Sequence, residues 1–161
     1  MRFFFPLLVF TIIFITACSS AKSKNTQVAP SFILILSDDQ GWNGTSVQMM
    51  DDVQQSKSDY HETPNLERLA NRGMRFSSAY ASAPVCSPSR YSIQFGQTPA
   101  RMKMIRVGMN TNHINHQTSN TIPKLLKEIN NNYKSAHFGK WGIDVHPSVL
   151  GYDESDGITG N

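Results

Sequence analysis

The chain has 161 residues, 15 basic and 12 acidic side chains, a net charge of +3 and 39% hydrophobic residues. That length is enough to bury a core. The near balance of charge, with no basic run or basic-aromatic stripe, excludes a nucleic-acid surface, which concentrates positive charge on one face.

Taken in chain order, Arg2 followed by the apolar run from Phe3 to Ile15 reads as a secretory signal peptide, too short for a typical membrane-spanning helix. It ends in Ile15-Thr16-Ala17-Cys18, which resembles the bacterial lipobox; an ordinary signal peptide cleaved nearby is the alternative. On the lipobox reading residues 1–17 are removed, Cys18 takes the lipid, and the polar stretch 18–30 tethers a domain to the membrane. The protein is then an exported bacterial lipoprotein, periplasmic or at the cell surface. A lipidated Cys18 forms no disulfide, which leaves Cys86 unpaired. In an oxidising compartment such a cysteine is expected to be buried, modified or catalytic.

Globular sequence begins at Ser31. Phe32 to Leu36 is a continuous apolar run stopped by Ser37-Asp38-Asp39, the pattern of a strand buried on both faces of a parallel sheet. Residues 43–62 are polar and read as a surface loop. Thr63-Pro64 starts a helix with Leu66, Leu69 and Ala70 on one face and Gly73 at its end. Met74 to Ala81 is a second strand candidate. Thr121 to Ile129 is a helix with Ile122, Leu125, Leu126 and Ile129 on its buried side, and Lys134 to Phe138 is a third strand. Residues 151–161 read as turns without helix or strand. Alternating strands and helices imply an α/β architecture with a mostly parallel sheet, and the few strands visible lead us to expect the first part of a larger domain.

Three short constellations fall at predicted strand ends or at a helix start, where open α/β sheets bind ligands. Asp38-Asp39 places two carboxylates side by side, a repulsion that a hard cation relieves; a lone pair of this kind is more often a helix cap or polar turn. Cys86-Ser87-Pro88-Ser89-Arg90 puts a cysteine just before a helix N-terminus, where free amides and the dipole favour an anion, and a planar cation one turn on. By itself it reads as a buried structural cysteine beside a helix start. Gly139-Lys140-Trp141 offers a lysine at a strand end, and a surface lysine beside a packed tryptophan is the commoner case.

Together these segments resemble the sulfatase family. Cys-x-Pro-Ser-Arg is its signature, the stretch from Thr63 to Arg90 is similar to the family pattern almost throughout, and Ser31 to Gly41 and Ile122 to Trp141 resemble its metal motif and second signature. The resemblance covers nearly all of residues 31–153 and implies an alkaline-phosphatase-like α/β/α sandwich. It implies hydrolysis of a sulfate ester, on a sulfated carbohydrate or another ester. Asp38, Asp39 and Cys86 would be ligands of a divalent cation, normally Ca2+ with Mg2+ as the alternative. Cys86, oxidised by a maturation enzyme to formylglycine, would be the nucleophile as a gem-diol. Arg90 would hold the modified residue, and Lys140 would contact the sulfate.

Two positions depart from the pattern. Ile93-Gln94-Phe95-Gly96 stands where Leu-x-Thr-Gly is usual, and Gly142 stands where the family has the histidine that assists breakdown of the sulfated intermediate. Either turnover suffers or His137 or His146 serves instead, although each reads as an ordinary strand or loop residue. Restoring histidine at position 142 is accordingly expected not to slow the reaction. A formylglycine-dependent phosphate or phosphonate hydrolase and a non-catalytic truncated or degenerate surface lipoprotein are the alternative functions.

Overall fold

The computed structural model describes residues 28–160. The signal peptide, Cys18 and most of the tether lie outside the described residues. The chain divides into two compact units, one ending at Leu36 and the other beginning at Ser37.

Of the first unit, residues 28–36 are described, and they hold neither helix nor strand. The expected strand from Phe32 to Leu36 is therefore corrected. A buried strand needs cover on both faces, whereas Ile33 and Ile35 are 88% and 83% exposed.

The second unit carries three helices, α1 (Pro64–Arg72), α2 (Cys86–Phe95) and α3 (Ile122–Ile129), and two short strands, β1 (Ala136–His137) and β2 (Glu154–Ser155). Proline opens α1 and α3 in the first turn, where its missing N–H costs nothing. Thr63 precedes α1 but does not cap it through its side chain; its hydroxyl pairs with Ser46 across the loop instead. Gly73 closes α1, its amide donating to the Ala70 carbonyl. Residues 74–81 form no strand and lie in turns and irregular chain, and the strand expected over 134–138 shrinks to Ala136–His137.

A second correction concerns the chain's end. Residues 154–155 form a strand that pairs parallel with β1 in the register Ala136 with Glu154 and His137 with Ser155. Ser135 anchors that pairing, its carbonyl accepting from the amides of Asp153 and Glu154. The α3 face expected to be buried is instead open, with Leu125 and Ile129 exposed and only Pro123 of that helix buried.

The core lies elsewhere. Tyr91 and Phe95 of α2 stack one turn apart and pack with Met102, Met104, Trp141, Ile143 and Leu150. Met102 and Met104 come from a segment with no helical or strand periodicity, which explains why pattern reading passes over them. Trp141 is enclosed, with ring contacts to His137 at 4.6 Å and Tyr152 at 5.7 Å and its indole N–H donated to the Val145 carbonyl at 2.6 Å. This packing fixes α2 against the turn that follows β1.

Candidate active site

Helix α2 begins at Cys86, with extended Val85 as its N-cap. Cys86 is thus the first helical residue and not the one before it. Amides of a first turn have no partners within the helix, and Pro88, at the third position, has no amide to leave over. The N-terminus therefore presents N–H groups and the positive end of the dipole beside a free, half-buried thiol. Ser89 steadies this end by donating its hydroxyl to the Ala83 carbonyl at 2.8 Å.

Arg90 follows one turn later and is 8% exposed. A buried guanidinium requires partners, and it has two: it donates to Asp38 Oδ1 at 3.2 Å and to the carbonyl of Lys140. Lys140 reaches the same carboxylate from the turn after β1, with Nζ 2.7 Å from Asp38 Oδ2. The Lys140 hydrogen bond, followed by that from Arg90, holds the Asp38 carboxyl below its ordinary pKa. Three distant segments thus converge, with two cations against one carboxylate and a helix N-terminus one turn away.

Asp39 is exposed and adopts a left-handed backbone with φ of 51°, a conformation aspartate tolerates better than most residues. Adjacent carboxylates supply the hard oxygen donors that Ca2+ and Mg2+ take. Among the described residues no third histidine, cysteine, aspartate or glutamate completes a cluster with them. By donor chemistry Asp38 and Asp39 fit part of a divalent-cation site.

The turn carrying Lys140 is held by residues that sequence reasoning missed. Thr159 accepts from the amides of Trp141 and Gly142 through its carbonyl and donates its hydroxyl to the Gly139 carbonyl, while Asp156 Oδ2 accepts from the Gly139 amide at 2.7 Å. No sequence signal marks Thr159, because its role depends on β2 returning beside β1.

The two histidines near Gly142 in sequence occupy different surroundings. His146 Nδ1 lies 2.8 Å from Ser148 Oγ and accepts from the Ser148 amide, capping the 3-10 turn Pro147–Leu150. His137 sits in β1 edge-on to Trp141 and Tyr152, and its Nδ1 is buried without a hydrogen-bond partner. Burial, and secondarily the charge of Arg90, lower its pKa. Gly142 itself has a φ of +65°, and a Cβ there would stand 2.8 Å from Arg90 Cδ. A side chain at position 142 would require Arg90 to shift.

A parallel strand pair, a helix that starts at a half-buried cysteine and two cations converging on one carboxylate define an α/β protein with a charged cluster beside a helix start. The Sulfatase family model matches residues 30–158. The chain is 32% identical to N-acetylgalactosamine-6-sulfatase of Mus musculus over 143 residues, covering 78% of this chain and 25% of that protein. It is 30% identical to arylsulfatase G of Homo sapiens over 167 residues, covering 97% of this chain and 27% of the relative. The chain belongs to the sulfatase family and takes that family's alkaline-phosphatase-like α/β class. It spans about a quarter of the length of these curated relatives.

Proposed function

We propose that the protein hydrolyses a sulfate ester, with Cys86 matured to formylglycine as its nucleophile. The observation that carries this reading is the convergence of Arg90 and Lys140 on Asp38 beside the helix start that bears Cys86. A sulfuryl group in transfer carries spread negative charge, and fixed cations and amides aimed at it lower the barrier. Both relatives are named as sulfatases, one of a sugar sulfate and one of an aryl sulfate, so the sulfate ester is their shared chemistry.

In this reading Arg90 orients the residue at position 86 from one turn along α2, and Lys140 binds a sulfate oxygen. The α2 amides stabilise charge at the same end. Asp38 and Asp39 would hold Ca2+ or Mg2+ together with the matured residue at position 86, and the ion when bound supplies Lewis-acid polarisation of the ester. Asp38 also fixes the two cations, so it organises the site through hydrogen bonds of its own.

The same reading makes the protein an exported lipoprotein anchored through Cys18, supported by the Ile15-Thr16-Ala17-Cys18 sequence. The test is to express the complete reading frame with a formylglycine-generating enzyme. The Cys86 peptide should show the mass of an aldehyde in place of the thiol, the N-terminus should carry lipid, and an aryl sulfate should be cleaved while Cys86→Ala is inert. A peptide that remains wholly thiol beside an efficiently matured control, or cleavage of the matching phosphate ester in preference to sulfate, overturns the sulfatase assignment. An unlipidated mature N-terminus overturns the anchor.

A further inference from the structure

We propose that His116 is a positioning residue that acts as the neutral imidazole: through the Tyr91 hydroxyl it fixes the far end of the turn that carries Lys140, and a second proton on the ring undoes the hold. The chain of contacts is short. Tyr91 of α2 is fully buried, and its hydroxyl accepts the amide of Asp144, a few residues beyond Lys140, at 3.3 Å. His116 Nε2 lies 3.1 Å from the same hydroxyl, and the ring packs edge-on against Tyr91 and Phe95. Thr111, from the same loop as His116, donates its hydroxyl to Asp144 Oδ2 at 2.9 Å. One loop therefore grips Asp144 twice, at its carboxylate directly and at its amide by way of Tyr91.

The supply of protons fixes the form of the ring. A backbone amide only donates, so the Tyr91 oxygen is the acceptor towards Asp144 and its single proton is left for His116. Nε2 is then an acceptor, and the one proton of a neutral imidazole sits on Nδ1. A second proton would set an N–H against the Tyr91 O–H and place a charge against two aromatic rings. Burial lowers the His116 pKa first of all. Asp144, from the turn after β1, works against this, His113 of the same loop adds to it, the Ile114 backbone opposes it, and Lys124 of α3 adds to it again. Tyr91 of α2 stays neutral, its own pKa raised by burial.

Protonation moves the ring and not the loop. Lys124 Nζ donates to the carbonyls of His116 and Gln117 at 3.1 and 2.6 Å, which pins the loop backbone to α3. The charged imidazole turns to water, Tyr91 loses its orienting partner, and the Asp144 amide loses a fixed acceptor. Because the folded pKa is depressed, the hold is complete above the ordinary histidine value of about 6.5 and is lost as pH falls below it.

The inference rests on the proposed role of Lys140 only for its kinetic consequence; hydrogen exchange reads the contact without any activity. The test uses the complete reading frame, matured at Cys86, as the parent, His116→Gln and Tyr91→Phe. Glutamine offers Tyr91 an acceptor that does not titrate, and phenylalanine keeps the ring without the hydroxyl. Exchange at the Asp144 amide, corrected for the intrinsic rate, should speed up in the parent between pH 8 and pH 5, stay level in His116→Gln and be fast at both pH values in Tyr91→Phe. Over the same interval the KM of the parent for an aryl sulfate should rise about fivefold more than that of His116→Gln, the loss of one net hydrogen bond. At pH 8 the ring nitrogen shifts of His116 in the parent should report a proton on Nδ1 and none on Nε2.

Equal acceleration in the parent and His116→Gln, or none in the parent, overturns the proposal. So does a His116 ring with its proton on Nε2 at pH 8, a measurement on the parent that does not depend on any variant folding. A sulfatase whose KM changes alike in the parent and His116→Gln overturns the positioning role. A protein without sulfatase activity that still shows the exchange pattern overturns the proposed function and leaves this inference standing.

Discussion

Asp38 gathers charge from two directions, and His137 lies under the same influence. Its imidazole is packed edge-on against Trp141 and Tyr152 with a buried, unpartnered Nδ1, and its pKa is lowered by burial and then by Arg90. A histidine whose folded pKa is depressed stays neutral in the fold while the unfolded chain takes up a proton. Its contribution to stability is therefore full above the unfolded value of about 6.5 and is lost as pH falls below it. His137→Phe keeps a ring against Trp141 and removes the titrating nitrogen. Urea unfolding at pH 8 and pH 5 should show the parent losing stability on acidification and His137→Phe losing less. An identical pH dependence in both would mean that the imidazole is not held neutral.

At the scale of elements, α2 and the turn after β1 are joined through Trp141, which is 1% exposed. Trp141→Ala should destabilise the protein by about 3–5 kcal/mol, the usual range for a buried tryptophan truncated to alanine, and the loss should be visible as a lowered melting temperature. Because Lys140 precedes it directly, the same change should also weaken substrate binding, read as a raised KM. A second joint ties α3 to the strand pair. Asp153 accepts from the Ser135 amide at 2.8 Å and from Lys127 Nζ at 2.9 Å, and these contacts, the amide first, hold its carboxyl well below the usual carboxylate range. A depressed carboxylate stabilises the fold above its unfolded pKa of about 3.9 and loses that contribution as pH falls through the lower folded value. Asp153→Asn should accordingly be less stable than the parent at pH 7, with the gap closing below about pH 3. A gap unchanged with pH would assign the loss to geometry and not to charge.

For the molecule as a whole, apolar side chains decide the behaviour of this chain in isolation. Leu69, Met74, Phe76, Ile129 and Phe138 are each more than 60% exposed, and the strands pair as a sheet of two. Exposed apolar surface of this kind favours association, and short strand pairs are marginal without cover. The 161-residue chain by itself is therefore expected to bind a hydrophobic dye, to aggregate on warming and to lack a cooperative melt. A sharp thermal transition of a monomer, together with calcium-dependent cleavage of an aryl sulfate, would contradict this.

The division between what could be read in the linear chain and what could not follows the range of the interactions involved. Local rules reach the starts of α1 and α3, because a proline in the first turn acts within a few residues, and they reach the α2 segment, where Cys-Ser-Pro-Ser-Arg is at once a helix start and a family signature. The family, and with it the α/β class, was legible for the same reason. Strand extent was not, because a strand exists only where a partner supplies the other half of each hydrogen bond: the apolar runs at 32–36 and 74–81 form none, while the turn-like residues Glu154 and Ser155 do. Burial followed the same logic, passing over the α3 face and falling on Met102 and Met104. The sequence by itself singled out Asp38, Arg90 and Lys140, because each stands in a short motif. Only the tertiary structure decided that Arg90 and Lys140 share one carboxylate and that Thr159 and Asp156 brace the turn carrying Lys140, because contacts between distant segments depend on how the intervening chain returns.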